Sequence, residues 1–98
     1  MIVRLTRAAE RDLEEIAQRI AADNPQRAVS FVRELRGACL GLADFLDRFP
    51  LVPRYERHGI RRRVHGNYLI FYRSEPDTVV VLHILHGATD YAAVLFPF

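Results

Sequence analysis

The side chains able to move protons near neutral pH are four histidines, His58, His65, His83 and His86, backed by four tyrosines and twelve carboxylates. The cationic side chains are fourteen arginines, and lysine is absent. Metal-free cleavage of a phosphodiester needs a base for the attacking hydroxyl, an acid for the leaving oxygen and cations for the phosphorane charge. Arginine holds its proton too tightly to be that base. The candidates for acid and base are therefore His65, His86 and Tyr91, with Arg61, Arg63 and Arg73 as phosphate clamps. Each has a plainer reading. His86 can be a strand-end residue bonding a turn carbonyl, His65 a solvent-facing strand residue, and Tyr91 a ring that packs the C-terminal tail. His58 reads as a loop residue, His83 as a satisfied structural histidine, and Tyr68 and Tyr72 as packing rings on one strand face. There is no Gly-rich phosphate loop and no nucleophile elbow. No metal spacing is present: His83 and His86 lie three apart on a strand and point to opposite faces. The single Cys39 excludes a multi-cysteine zinc site and reads as a small core residue.

The elements that must position these groups follow from charge and periodicity. Residues 1–49 hold eight arginines against eight acids, residues 50–98 six against four. Five of those six fall between Arg54 and Arg63. This run can attract an acidic partner or a phosphate backbone, or it can be a solvated strand face that discourages edge pairing. Ninety-eight residues, half of them apolar, suit one domain with one core. No apolar run approaches membrane-spanning length and no signal peptide is legible, which fits a cytoplasmic protein.

Ile2–Leu5 alternates as a short strand, and Thr6 can cap the helix that follows. Ala9, Leu13, Ile16, Ala17 and Ile20 share one helical face, opposite Arg11, Glu14, Glu15 and Arg19. Asn24-Pro25 signals a second helix start. Its broad stripe runs Ala28, Phe31, Val32, Leu35, Cys39, Leu42, Phe45, Leu46 and Phe49, with Pro50 and Pro53 ending it. Gly37 and Gly41, four apart, admit either the close approach of another backbone or a local bend. Gly59–His65 alternates, with Ile60, Arg62 and Val64 on one side and Arg61, Arg63 and His65 on the other. Gly66-Asn67 and Glu75-Pro76-Asp77 are turns, and between and after them Tyr68–Arg73 and Thr78–His86 are strands. The fold expected is α+β: an N-terminal strand, an antiparallel two-helix hairpin, then a three-stranded antiparallel meander, all one sheet with both helices on one face. The apolar tail is expected to pack back on the sheet, Phe98 least firmly.

These segments resemble the ParE-like toxins of the ParE/RelE superfamily over nearly the whole chain. LTRAAERDLEEIAQRIAADNP from Leu5 to Pro25 is similar to the family's strand, Ala…Asp-Leu…Ile helix and Asn-Pro start. GIRRRVHGNYLIFYR from Gly59 to Arg73 resembles its Gly-Ile-Arg…Tyr-x-Ile-x-Tyr-Arg segment, and VVVLHILHGATDY its last strand ending Leu-His-Gly-x-x-Asp. Two departures stand out: Gly87-Ala88-Thr89-Asp90 lacks the arginine common there, and His83 replaces a common basic residue.

The resemblance implies the toxin of a type II toxin–antitoxin pair. It implies no cofactor, a target in DNA gyrase and neutralisation by a ParD-like antitoxin. It equally admits a RelE-like endoribonuclease acting on ribosome-bound messenger RNA. RelE-like enzymes use lysine, which this chain lacks, and a non-enzymatic gyrase inhibitor is the leading expectation. A third possibility is an antitoxin-dependent co-repressor with no target of its own. On the leading reading Arg61, Arg63 and His65 bind the target, and Phe31, Leu35, Leu42 and Phe45 receive the antitoxin. His65, His86, Tyr91 and Arg73 would serve the ribonuclease.

Overall fold

The computed structural model describes residues 1–45 and 47–97. Leu46 and Phe98, placed above in the second helical stripe and the tail, lie outside the described residues. Strand β1 (Ile2–Leu5) leads into helix α1 (Arg7–Ala21), and α2 (Pro25–Leu40) follows after a short break. Strands β2 (Arg61–His65), β3 (Tyr68–Glu75) and β4 (Thr78–His86) come next, with a short helix α3 (Tyr91–Leu95) last. The cap residues act as the sequence foretells. Thr6 Oγ1 accepts from the Ala9 N–H at 3.1 Å and donates to the Leu82 carbonyl at 2.8 Å, so it starts α1 and ties that start to β4. Asn24 Oδ1 accepts from the Arg27 N–H at 3.0 Å, with Pro25 at the first helical position.

The sheet order is β1-β4-β3-β2. The last three strands form the expected antiparallel meander. Its first turn places Gly66 at φ 58°, the positive value that a two-residue hairpin requires at its first central position. Strand β1 joins the same sheet parallel to β4, Ile2 opposite Thr78 through Leu5 opposite Val81. A register shift between Phe71 and Tyr72 puts an extra residue into β4 near Leu82.

One layer of core lies between the helices and the sheet. It contains Leu13, Ile16, Leu35, Cys39, Leu42, Tyr68, Ile70, Tyr72, Val81 and Ile84. A second layer, of which the sequence reading foresaw only the packed tail, covers the other sheet face. There Val52, Ile60, Phe71 and Phe96 pack with Tyr55, Leu82 and Tyr91. The tail does pack back, as α3 and Phe96, whose ring stacks on Tyr55 at 4.0 Å. Helix α2 is shorter than the apolar spacing foretold: it stops at Leu40, and Gly41–Asp44 tighten into a 3-10 turn. Glycine at position 41 weakens the helix where its last carbonyls lose their partners. Strand β2 likewise begins at Arg61, not at Gly59, because Gly59 adopts φ 72°.

The hairpin is pinned across its surface by Arg36, whose two terminal nitrogens reach the Glu10 carboxylate at 3.0 and 2.7 Å. That guanidinium holds the Glu10 carboxyl below the usual carboxylate range. At the other extreme, burial pushes the Cys39 thiol up to about 11. Because the thiolate is the reactive form, Cys39 is expected to resist a disulfide-exchange reagent at pH 8 in the folded chain and to react fully in denaturant. Rapid native-state labelling would contradict its place in the core.

Candidate functional site

The basic run of the sequence becomes an edge strand. Register along β2 puts Arg61, Arg63 and His65 on the helix side, paired with Tyr72, Ile70 and Tyr68. His65 meets the middle of α2, Arg63 its C-terminal end, and Arg61 the segment beyond it. Arg63 Nη1 donates to the Ala38 carbonyl at 2.9 Å. That carbonyl belongs to the last turn of α2, whose acceptors have no intrahelical donors and whose dipole end is negative. The last turn of α2 has no basic residue of its own, so Arg63 supplies the charge from the sheet. Its guanidinium also lies 5.0 Å from the Phe49 ring centroid. Arg61 Nη1 donates to the Phe49 carbonyl at 2.7 Å, and its Nη2 stands 3.6 Å from the exposed Asp47 carboxylate. His65 Nε2 lies 3.4 Å from Glu34, and its ring faces Phe31 at 5.7 Å.

The three predicted target-binding residues thus share one face but do not project freely. Each arginine spends part of its donor fork on a backbone carbonyl, fastening the segment around Phe49 to β2. Arg63 and His65 border a groove of about 500 Å³. It is floored by Gly37, Ala38 and Gly41, walled by Phe45 and Phe49, and rimmed by Glu34, Arg48, Arg63 and His65.

The predicted antitoxin-binding set divides. Leu35 and Leu42 have no solvent exposure and face the sheet, so no partner can touch them; that assignment is corrected. Phe31 is partly buried, between the rings of His65 and Tyr68 and under Arg27. Phe45 is 51 % exposed, with the Arg48 guanidinium 5.0 Å from its centroid.

The ribonuclease set is not assembled. His65 and His86 lie at one end of the helix side, flanking Tyr68. Tyr91 packs on Phe71 across the sheet, where its hydroxyl accepts from Arg62 Nη1 at 3.1 Å. Arg73 is paired with Glu75 at 3.1 Å, beyond the β-bulge on the second face. His86 Nδ1 does not bond a turn carbonyl as expected; it accepts from the Ala88 N–H at 3.0 Å. Its ring meets Tyr68 edge-on at 5.2 Å. His58 ends a 3-10 turn with its ring 4.9 Å from Phe96. His83 is held as the sequence suggested, and its partner is Asp12, a residue the sequence did not single out. Strand β4 outruns β1, leaving an open edge after Val81. Asp12 Oδ2 accepts from the Ile84 N–H at 2.8 Å there and meets His83 Nδ1 at 2.8 Å.

Two members of the groove were also missed. Arg48 lay in what read as helix. Gly37 was legible only as half of a glycine pair; no backbone approaches either glycine closely, and a Cβ at Gly41 would stand 3.4 Å from the Arg63 side chain, in ordinary contact. No group of three metal-ligating side chains occurs among the described residues, and no helix there is long and apolar enough to cross a membrane.

Comparison with known proteins gives a consistent picture. The family described as "ParE toxin of type II toxin-antitoxin system, parDE" matches residues 3–91. A chain from the chromosomal ParDE toxin–antitoxin system of P. aeruginosa superposes with a TM-score of 0.75 at 19 % identity, covering 88 % of this chain and 95 % of that one. A chain of the RelBE2 toxin–antitoxin complex from Mycobacterium tuberculosis superposes with a TM-score of 0.65 at 27 % identity, covering 90 % and 92 %. No curated protein sequence matches the chain.

Proposed function

The chain belongs to the ParE toxin family of type II toxin–antitoxin systems, and from that premise we propose that it poisons DNA gyrase without catalysis of its own. Its neutralising partner on this reading is a ParD-like antitoxin, and both work in the bacterial cytoplasm. The observation that carries the reading is the placement of Arg61, Arg63 and His65 on one edge-strand face beside an open groove. Such a face offers positive charge and hydrogen-bond donors to an acidic protein surface or to gyrase-bound DNA. Of the groups that RNA cleavage would draw on, Tyr91 and Arg73 lie across the sheet from His65 and His86, and lysine is missing.

Purified chain added to gyrase and supercoiled plasmid is expected to accumulate cleaved DNA. An Arg61→Ala, Arg63→Ala double variant should lose at least about tenfold in potency, the scale of one or two interface anchors. Circular dichroism keeps the test fair, because losing the Arg63 cap alone should cost only about 1 kcal/mol. Undiminished potency in a folded double variant refutes the assigned role.

The RelBE2 likeness favours one alternative, ribosome-dependent cleavage of messenger RNA. Transcript cutting on ribosomes, with no effect on gyrase, would establish it.

A further inference from the structure

The geometry points to the groove between the end of α2 and β2 as a docking site for a peptide segment with an apolar side chain flanked by carboxylates. The inference deepens the neutralisation reading and rests on it only in taking an antitoxin as the source of that segment. Three observations carry it. The first is Gly37. It sits inside α2, where glycine costs about 1 kcal/mol relative to alanine. A Cβ built on it would meet nothing within 4 Å, so no packing inside this chain asks for glycine there. What the missing side chain leaves is access to the groove floor, with Ala38 and Gly41 beside it.

The second is the aromatic wall. Phe45 is 51 % exposed, a large aromatic ring open to solvent, and Phe49 lines the same groove. An apolar side chain laid over Gly37 would bury part of both rings. The third is charge. Arg48 and Arg63 border the groove, and neither has a carboxylate within 4.0 Å among the described residues, whereas the rim's one acid, Glu34, is already paired with Arg27 at 2.6 Å. Carboxylates flanking the apolar anchor would complete both guanidiniums. A basic or purely apolar segment would leave them unmatched. The other apolar groove, beside Val29 and Val32 on the hairpin, has no such rim.

The test is selection of a displayed random dodecapeptide library against the purified full-length chain. Enriched peptides should carry an apolar residue between Asp or Glu residues. Gly37→Leu covers the floor with a better helix former whose Cβ meets no atom within 4 Å, so it should fold at least as stably. It should weaken the selected peptides at least about tenfold. Arg48→Glu should weaken them several-fold and reduce their salt sensitivity, whereas Val29→Ser should change nothing. Basic or uncharged consensus peptides, binding that survives Gly37→Leu, or no enrichment would each overturn the site. Self-association that Gly37→Leu removes, seen by sedimentation, would overturn it too, by assigning the groove to a second copy. The gyrase assay is independent: a chain inert toward gyrase that still selects acidic peptides keeps the groove and loses the poison.

Discussion

Replacing Leu35 by alanine is expected to lower the melting temperature by roughly 10–30 °C. Leu35 has no exposed surface and lies at the centre of the layer between α2 and the sheet, among Leu13, Cys39, Tyr72 and Val81. Truncating a buried leucine removes its transfer free energy and leaves a cavity, together about 2–5 kcal/mol. Neighbours on a hydrogen-bonded sheet and a capped helix cannot move far to refill it. A domain of this size is stable by about 5–15 kcal/mol, and each kcal/mol moves the midpoint by roughly 4–8 °C. Thermal unfolding by circular dichroism reads the shift. A change under about 5 °C would mean that the site collapses easily, and that the layer is less tightly built than its burial indicates.

The second large effect is expected at Asp12. Its carboxylate, with the Thr6 hydroxyl on the Leu82 carbonyl, finishes the open edge of β4, accepting from the Ile84 N–H and meeting His83. Asp12→Ala leaves both donors without a partner in a partly buried position, at about 1–3 kcal/mol for each group that water cannot reach. Asp12→Asn keeps an acceptor for one of them and should cost less. The distinguishing measurement is hydrogen exchange. The Ile84 amide should lose protection in the alanine variant well beyond the global change, while amides of β2 and β3 follow global stability alone. Equal loss across the sheet would show that Asp12 does not hold this edge.

How legible all this was in the sequence differs by element, for physical reasons. The caps at Thr6 and Asn24 and the turn at Gly66 are local, and local chemistry writes itself plainly in a chain. The meander was legible because period-two alternation and short turns leave few ways to pair. The parallel seating of β1 was not, since nothing in four residues says which distant strand they will meet. The end of α2 misled because Leu42 keeps the helical spacing and is buried, yet sits in a 3-10 turn. A stripe shows that a face is apolar, not which part of it the sheet will cover. That is why Leu35 and Leu42 read as partner-facing and Phe45 was not distinguished from them. Apart from the tail, the second core layer stayed hidden because residues 51–60 have no periodicity to read. At the site, the side of β2 carrying Arg61 and Arg63 was legible, but their hold on the carbonyls of Phe49 and Ala38 was not. Backbone acceptors at a helix end have no signature in sequence.

The parallel seating of β1 against β4 also sets a schedule for synthesis. Seventy-six residues separate Ile2 from Thr78, which at ribosomal elongation rates is roughly 4–15 s of translation. Until the last strand emerges, the first has no neighbour, and the Thr6 hydroxyl has no carbonyl to hold at Leu82. The pairing is strongly non-local, and closing so long a loop slows folding. A nascent copy therefore carries its two helices well before it owns a finished sheet.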